Sequence, residues 1–330
     1  MSNISQANYM LIGYGYWGPN IARNIISNKN SNLKILIDKD NSTLFKAKKN
    51  KIAEFYFDSV KKIKKELIEQ IDVIVIATPA ITHLEILKST AKFKKIYLIT
   101  KPIVTSRGEV KVVDSLIKKY NLEIFVDETF IYSNKIKNIK DIVNKKSFGK
   151  LQYIYSNRSN LGRIQTEQNV IWDLAPHDLS IASFITTKFP TNCIAVASNP
   201  LNSISSKESI ATVVFDYSNE FKMYLNVSWL SPEKLRYMVF SGTKQTLIFD
   251  DTKYNDAITL YNQSIKYENG KFNYFKSKGL KVPFEENEPL FDEIKQISNY
   301  FLTKKNKPVA GYESSIKNIF ILDEMKYATI

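Results

Sequence analysis

Gly13-Tyr14-Gly15-Tyr16-Trp17-Gly18 spaces three glycines as G-x-G-x-x-G, directly after the apolar run YMLIG and at the head of a helical pattern. In that setting the first glycine allows a tight turn, the second lets backbone approach a pyrophosphate, and the third packs helix against strand. The helix N-terminus then turns free N–H groups and the positive end of its dipole toward phosphate. Asp38 ends the next apolar run, 20 residues after Gly18, the expected place for a carboxylate that bonds the adenosine ribose hydroxyls. A carboxylate there repels a 2′-phosphate, so NAD(H) is expected over NADP(H), with Lys39 beside it softening the preference. Gly13, Gly15, Tyr16, Trp17, Gly18 and Asp38 are the first cofactor-binding candidates.

Nicotinamide chemistry also needs a group that takes or gives the proton of the reacting oxygen. Asp173 and His177, in the segment Asp173-Leu-Ala-Pro-His177, are the catalytic candidates. Pro176 is best tolerated in a helix's first turn, which predicts Asp173 at or near the N-cap. Four residues apart, the two side chains can face one way, and a carboxylate beside an imidazole sets its tautomer and steadies its charged form. The plainer alternative is that Asp173 caps the helix and His177 packs. Lys101 ends the fourth apolar run, just before Pro102, at the edge of the sheet where ligands bind. It is a catalytic and a cofactor candidate. Thr78, Pro79 and His83 follow the third apolar run at the same edge; for His83 a structural role and a cofactor contact are equally open. Arg158, Asn160 and Arg163 follow the 151–159 strand toward the Asp173 helix. They are substrate-binding candidates, because Arg grips phosphate oxygens in a fork; surface arginines bridging loops are the alternative.

These residues need a scaffold. LKILID (33–38), DVIVIATP (72–79), KIYLITKP (95–102) and LEIFVDE (122–128) join YMLIG as continuous apolar strands separated by helical stretches, which argues for a parallel sheet covered on both faces. After about residue 127 the texture changes. A helix over 133–144, a strand over 151–159 and a helix from about Trp172 precede the β-rich runs CIAVAS, SIATVVFDY, EFKMYLNVSWL, LRYMVFSG and KQTLIFD, which read as an antiparallel sheet. Helical stretches at about 288–303 and 312–328 close the chain. The expected organisation is α/β, with a dinucleotide-binding domain over 1–126 and a substrate-binding and oligomerisation domain over 127–330.

Composition limits the alternatives. The chain has 330 residues, 44% hydrophobic and 24% charged, as in an ordinary globular protein. One cysteine and two histidines exclude an internal disulfide, a cysteine zinc cage and a multi-histidine metal site, so no metal is expected. The net charge is +14, but 42 of the 47 basic residues are Lys, spread along the chain. Nucleic-acid readers lean on Arg, so no nucleic-acid partner is expected. The charge is read as solvated helix faces, with a field that favours anionic ligands as the sharper alternative. No apolar run reaches the roughly 18 residues of a membrane helix, and the N-terminus lacks signal-peptide features, which points to the cytoplasm without membrane association.

The sequence resembles the Gfo/Idh/MocA oxidoreductase family over nearly its whole length. The resemblance rests on GYGYWGPN (13–20), ATPAITH (77–83), TKP (100–102), the run from VDETFIYS to NRSNLGR (126–163) and VIWDLAPHDLS (170–180). The wording of GYWGPN and WDLAPHDLS is similar to the bacterial branch associated with surface-polysaccharide sugars. The resemblance implies a Rossmann domain followed by an α/β domain whose large, mostly antiparallel open sheet mediates oligomers. It implies that Lys101 contacts substrate and cofactor and that His177 is the acid/base. Two departures stand out: Thr100 where the family has glutamate, and Asp127-Glu128 where many relatives have Gly-His. The expected activity is NAD(H)-dependent hydride transfer at a secondary alcohol or ketone, C3 of a nucleotide-linked amino sugar in surface-polysaccharide biosynthesis. The runner-up is a free-sugar or inositol dehydrogenase, and a non-catalytic NAD- or sugar-sensing regulator is the rival of another class. A homodimer or homotetramer is expected through residues 193–249, whose long apolar runs suit a covered face.

Overall fold

The computed structural model describes residues 6–162, 164–166 and 168–329. The chain forms two compact units, residues 1–132 with 288–319, and residues 133–287 with 320–330.

The first unit alternates strand and helix: β1 (Ala7–Ile12), α1 (Gly18–Ser27), β2 (Ser31–Ile37), α2 (Asn41–Lys49), β3 (Phe55–Phe57), α3 (Lys65–Glu69), β4 (Val73–Ile76), α4 (His83–Thr90), β5 (Ile96–Thr100), α5 (Arg107–Tyr120) and β6 (Glu123–Asp127). All six strands are parallel in the order β3-β2-β1-β4-β5-β6. The order reverses direction between β1 and β4, and at such a switch point the carboxyl ends of the strands leave a crevice for a ligand. Strands β1, β4 and β5 are apolar on both faces because helices cover both. Three-residue β3 was too short to leave a periodic signature.

The second unit follows with α6 (Asn134–Val143), β7 (Leu151–Leu161), α7 (Val170–Thr186), β8 (Asn192–Ser198), β9 (Ile210–Asp216), β10 (Lys222–Ser228), β11 (Leu230–Gly242), β12 (Gln245–Asp250), β13 (Ile258–Glu268), β14 (Lys271–Lys276) and β15 (Leu280–Lys281). These build a mostly antiparallel sheet in the order β14-β13-β12-β11-β7-β10-β9-β8, with β15 alongside β13. Two pairs are parallel: β7 with β10, and β8 with the last strand. Strand residues alternate. Ile154, Ala195, Val213 and Leu225 are buried on the face that α7 covers, while Tyr153, Ile194, Val196 and Tyr224 are exposed on the other.

The chain ends with α8 (Pro289–Thr303), α9 (Tyr312–Asp323) and β16 (Lys326–Thr329). Here two expectations change. The division near residue 127 is not one boundary: Leu290, Ile294 and Ile297 of α8, spaced to share one face, complete the core under Tyr9, Ile21, Ile25 and Phe125 of the first unit. The last helical stretch stops at Asp323, and the residues after it pair in parallel with β8 as β16. Among the described residues no helix is long and apolar enough to cross a membrane.

Candidate functional site

The glycine turn has the geometry that its sequence requires. Gly13 has a left-handed φ of 98°, and a Cβ there would meet the Ala77 carbonyl oxygen at 2.7 Å. A Cβ on Gly18 would meet the Gly13 carbonyl oxygen at 2.4 Å. Beside Gly15, by contrast, a Cβ would meet nothing within 4 Å, which leaves open space against the backbone. Helix α1 begins there with Trp17 at its N-cap, no side chain capping it and no acidic residue in its first turn. Pro19 has no N–H and the Asn20 N–H bonds the Trp17 carbonyl at 3.0 Å, so what α1 offers an anion is the positive end of its dipole behind the open backbone of the turn. An NAD-type pyrophosphate fits this set: bulk is excluded at Gly13 and Gly18, and backbone lies open at Gly15.

Asp38 stands beside the turn. Its Oδ2 accepts the Tyr14 N–H at 2.6 Å and its Oδ1 accepts the Asp40 N–H at 2.9 Å. A carboxylate has about four lone-pair sites, so capacity for ribose hydroxyls remains. Tyr16 is 83% exposed, whereas the Trp17 indole turns inward and donates to Asp127 Oδ2 at 2.6 Å.

After β4, Thr78 packs its methyl group toward Gly13, and its hydroxyl accepts the Thr82 hydroxyl at 2.7 Å. Pro79 is exposed. His83 is buried at 1% exposure, with Nε2 2.8 Å from the Thr78 carbonyl and Nδ1 3.1 Å from the Pro102 carbonyl. Of the two roles open to it, the geometry gives the structural one. The ring ties the loop after β4 to the loop that carries Lys101, and it can affect a ligand only through what it holds. Burial pushes its pKa down, against the pull of the carbonyl contacts. Thr100, where the family has glutamate, sets its hydroxyl 3.4 Å from His83 Nε2. Lys101 follows half-buried, joined to Pro102 by a cis peptide bond.

In the second unit, α7 carries the other candidates. Its N-cap is Asn169, whose Oδ1 accepts the Trp172 N–H at 3.1 Å, so the cap is not Asp173. Helix α7 starts earlier than the proline suggested, and Pro176 lies inside it, where it deprives the Trp172 carbonyl of a helical donor. Asp173 is in the first turn, and His177 one turn later is half-buried. The partner sequence reasoning missed is Trp229, at 1% exposure, whose Nε1 donates to Asp173 Oδ2 at 3.0 Å. Nothing in the linear spacing links residues 56 apart.

Arg158 is not a surface arginine. Its guanidinium pairs with Asp178 of α7, and both side chains are under 10% exposed. The Ser156 hydroxyl donates to Asp178 Oδ1 at 2.7 Å. Through its Nε, the guanidinium expected to reach a phosphate helps to fix α7 on the sheet. Asn160 is half-buried, with its amide against Gly162; Arg163 lies outside the described residues. Among the described residues no cluster of His, Cys, Asp or Glu is placed to hold a metal ion. Cys193 is buried and its thiol is pushed up to about 12, which removes it as a nucleophile.

The fold is shared with many solved structures. One is UDP-N-acetylglucosamine 3-dehydrogenase GnnA from Acidithiobacillus ferrooxidans, 18% identical, with a TM-score of 0.78 over 97% of this chain and 96% of that one. Another is an oxidoreductase from Agrobacterium radiobacter in complex with NAD+, L-tartaric acid and magnesium, 16% identical, with a TM-score of 0.78 over 97% and 95%. In sequence, an uncharacterized oxidoreductase of Streptococcus pneumoniae is 22% identical over 260 residues, 73% of this chain and 68% of that protein. Residues 7–128 match the oxidoreductase family's NAD-binding Rossmann fold, and residues 136–248 match the GFO/IDH/MocA C-terminal domain. With both domains matched in order, the chain belongs to the Gfo/Idh/MocA family of oxidoreductases.

Proposed function

We propose that the protein is an NAD(H)-dependent dehydrogenase or ketoreductase acting on C3 of a nucleotide-linked amino sugar. The observation that carries the reading is the pairing on α7: Asp173, held by Trp229, one turn before His177. A carboxylate so fixed can orient an imidazole or a sugar hydroxyl, and proton transfer demands that kind of placement. The bound cofactor supplies one thing, a nicotinamide carbon that accepts or returns a hydride. In the oxidative direction the sugar C–H bond breaks with its electron pair leaving as hydride, and the hydroxyl proton goes to His177. Lys101, an ammonium group, polarises the same oxygen and steadies the charge that develops on it. Asp38 selects NAD(H) by bonding ribose hydroxyls and repelling a 2′-phosphate.

The substrate class is supported by the likeness to GnnA, a UDP-N-acetylglucosamine 3-dehydrogenase, and by the +14 charge, which favours a ligand bearing a diphosphate. Surface-polysaccharide biosynthesis is the setting that such a substrate suits. A second copy of the chain is the proposed protein partner. It would cover the outer face of the second unit's sheet, where Ile194, Val196, Ile210 and Tyr224 are each at least 40% exposed. The test is kinetic: a nucleotide-linked amino sugar is turned over with NAD(H), and His177→Asn loses that turnover while keeping NADH affinity.

A further inference from the structure

The glycine turn is tied to a strand three places away in its own sheet. Trp17, the N-cap of α1, donates its indole N–H to Asp127 at the end of β6. The other Asp127 oxygen accepts the Thr129 hydroxyl. Asp127 is 5% exposed, so this carboxylate is held by donors on both oxygens in a nearly dry setting.

Glu293 of α8 meets Asp127 there. Its exposure is 0%, and Asp127 lies within hydrogen-bonding reach. Among the described residues, no donor of ordinary geometry reaches either Glu293 oxygen. The nearby Glu128 N–H is engaged by the Val126 carbonyl at 2.8 Å. The titratable groups that face Glu293 are Asp127 and Glu128 at the end of β6, Tyr132 in the turn packed on α8, and Tyr9 on β1; none of these is a cation. Two buried carboxyl groups in contact, with no cation between them, are compatible only if one carries a proton. Asp127 receives two donors and so acts as the acceptor. Glu293 is offered only the Glu128 N–H, which the Val126 carbonyl already engages, and that leaves Glu293 as the acid. Burial first, and then the Asp127 charge, hold its carboxyl well above the ordinary range.

We propose that Glu293 is a positioning residue that works in its protonated form: its O–H donates to Asp127, and Asp127, so held, fixes the Trp17 indole at the start of the dinucleotide turn. The proposal rests on reading that turn as the NAD(H) site. Loss of the Glu293 proton would set two carboxylates against each other, and the least costly relief is for Asp127 to leave Trp17. Cofactor affinity should therefore fall on the alkaline side.

The sign of the stability effect is fixed by linkage. Unfolded, the glutamate ionises near its ordinary pKa of about 4.3. The native state keeps the proton to higher pH, so it binds one more proton across that interval, and stability falls as pH rises. Glu293→Gln keeps a donor to Asp127 without needing a proton. In chemical unfolding of the full chain without cofactor, the Gln variant should gain on wild type by about tenfold in the unfolding constant per pH unit, from about pH 5 upward. In NADH titrations, Gln should match wild type within about twofold at pH 7 and stay flat to pH 9, while wild type weakens. Glu293→Leu, buried but without a donor, should fold and bind NADH several-fold more weakly. Gln losing ground to wild type with rising pH would overturn the protonated Glu293. Leu binding NADH as tightly as wild type would overturn the link to Trp17. A wild type that binds no NADH would remove the cofactor reading, while the unfolding comparison would still decide the proton.

Discussion

The Trp229 indole N–H donates to Asp173 Oδ2 at 3.0 Å, joining the end of β10's run to the first turn of α7. One oxygen of the Asp173 carboxylate is thereby fixed from the sheet side, one turn before His177. Trp229→Phe keeps the ring but removes the N–H. It should leave NADH affinity unchanged and lower kcat by about tenfold, since a neighbouring hydrogen bond to a charged group contributes about 1.5–3 kcal/mol. A kcat equal to wild type would mean that the bond only packs the core.

Asp38 holds Tyr14 and Asp40 N–H groups as well as facing the glycine turn. Asp38→Ala should therefore loosen NADH and also narrow the gap between NADH and NADPH. Fluorescence titration of both cofactors against both proteins decides this. Tighter NADPH binding by the wild type would contradict the assigned selectivity.

The Arg158–Asp178 pair should behave as architecture. Removing one partner leaves the other charge buried, which costs about 3–5 kcal/mol. Asp178→Asn and Arg158→Met should each lower the melting temperature clearly, and Arg158→Met combined with Asp178→Leu should recover part of the loss. An Arg158→Met variant with wild-type stability and a raised KM would return Arg158 to the substrate.

The strands of the first unit were legible because parallel strands buried on both faces write themselves as unbroken apolar runs such as VIVI, and the glycine turn because its three glycines each answer a different steric demand. The start of α7 differs from the expectation because Pro176 points to a first turn around it, while Asn169 caps the helix four residues upstream of Asp173. Trp229, Asp178 and Glu293 were not legible as partners. Each acts across 20 or more residues, and such pairings arise from packing rather than from spacing. Glu293 sits on a helix whose apolar face belongs to the first unit although the chain reaches it last.

The exposed row Ile194, Val196, Ile210 and Tyr224 should be covered in solution. Light scattering at micromolar concentration should give at least twice the 38.0 kDa chain mass. Ile194→Lys combined with Tyr224→Lys should shift the particle toward one chain. A wild-type mass near that of one chain would contradict the second copy.

The most direct test of the account is turnover of a substrate panel, read as nicotinamide absorbance. The panel sets UDP-, dTDP- and GDP-linked sugars, amino sugars and their 3-keto forms against free sugars and inositols, with His177→Asn as the control. The account predicts the highest kcat/KM on a nucleotide-linked amino sugar and a loss of about 10²–10⁴-fold in His177→Asn. A higher kcat/KM on a free sugar or inositol, or no turnover of any member despite tight NADH binding, would contradict it.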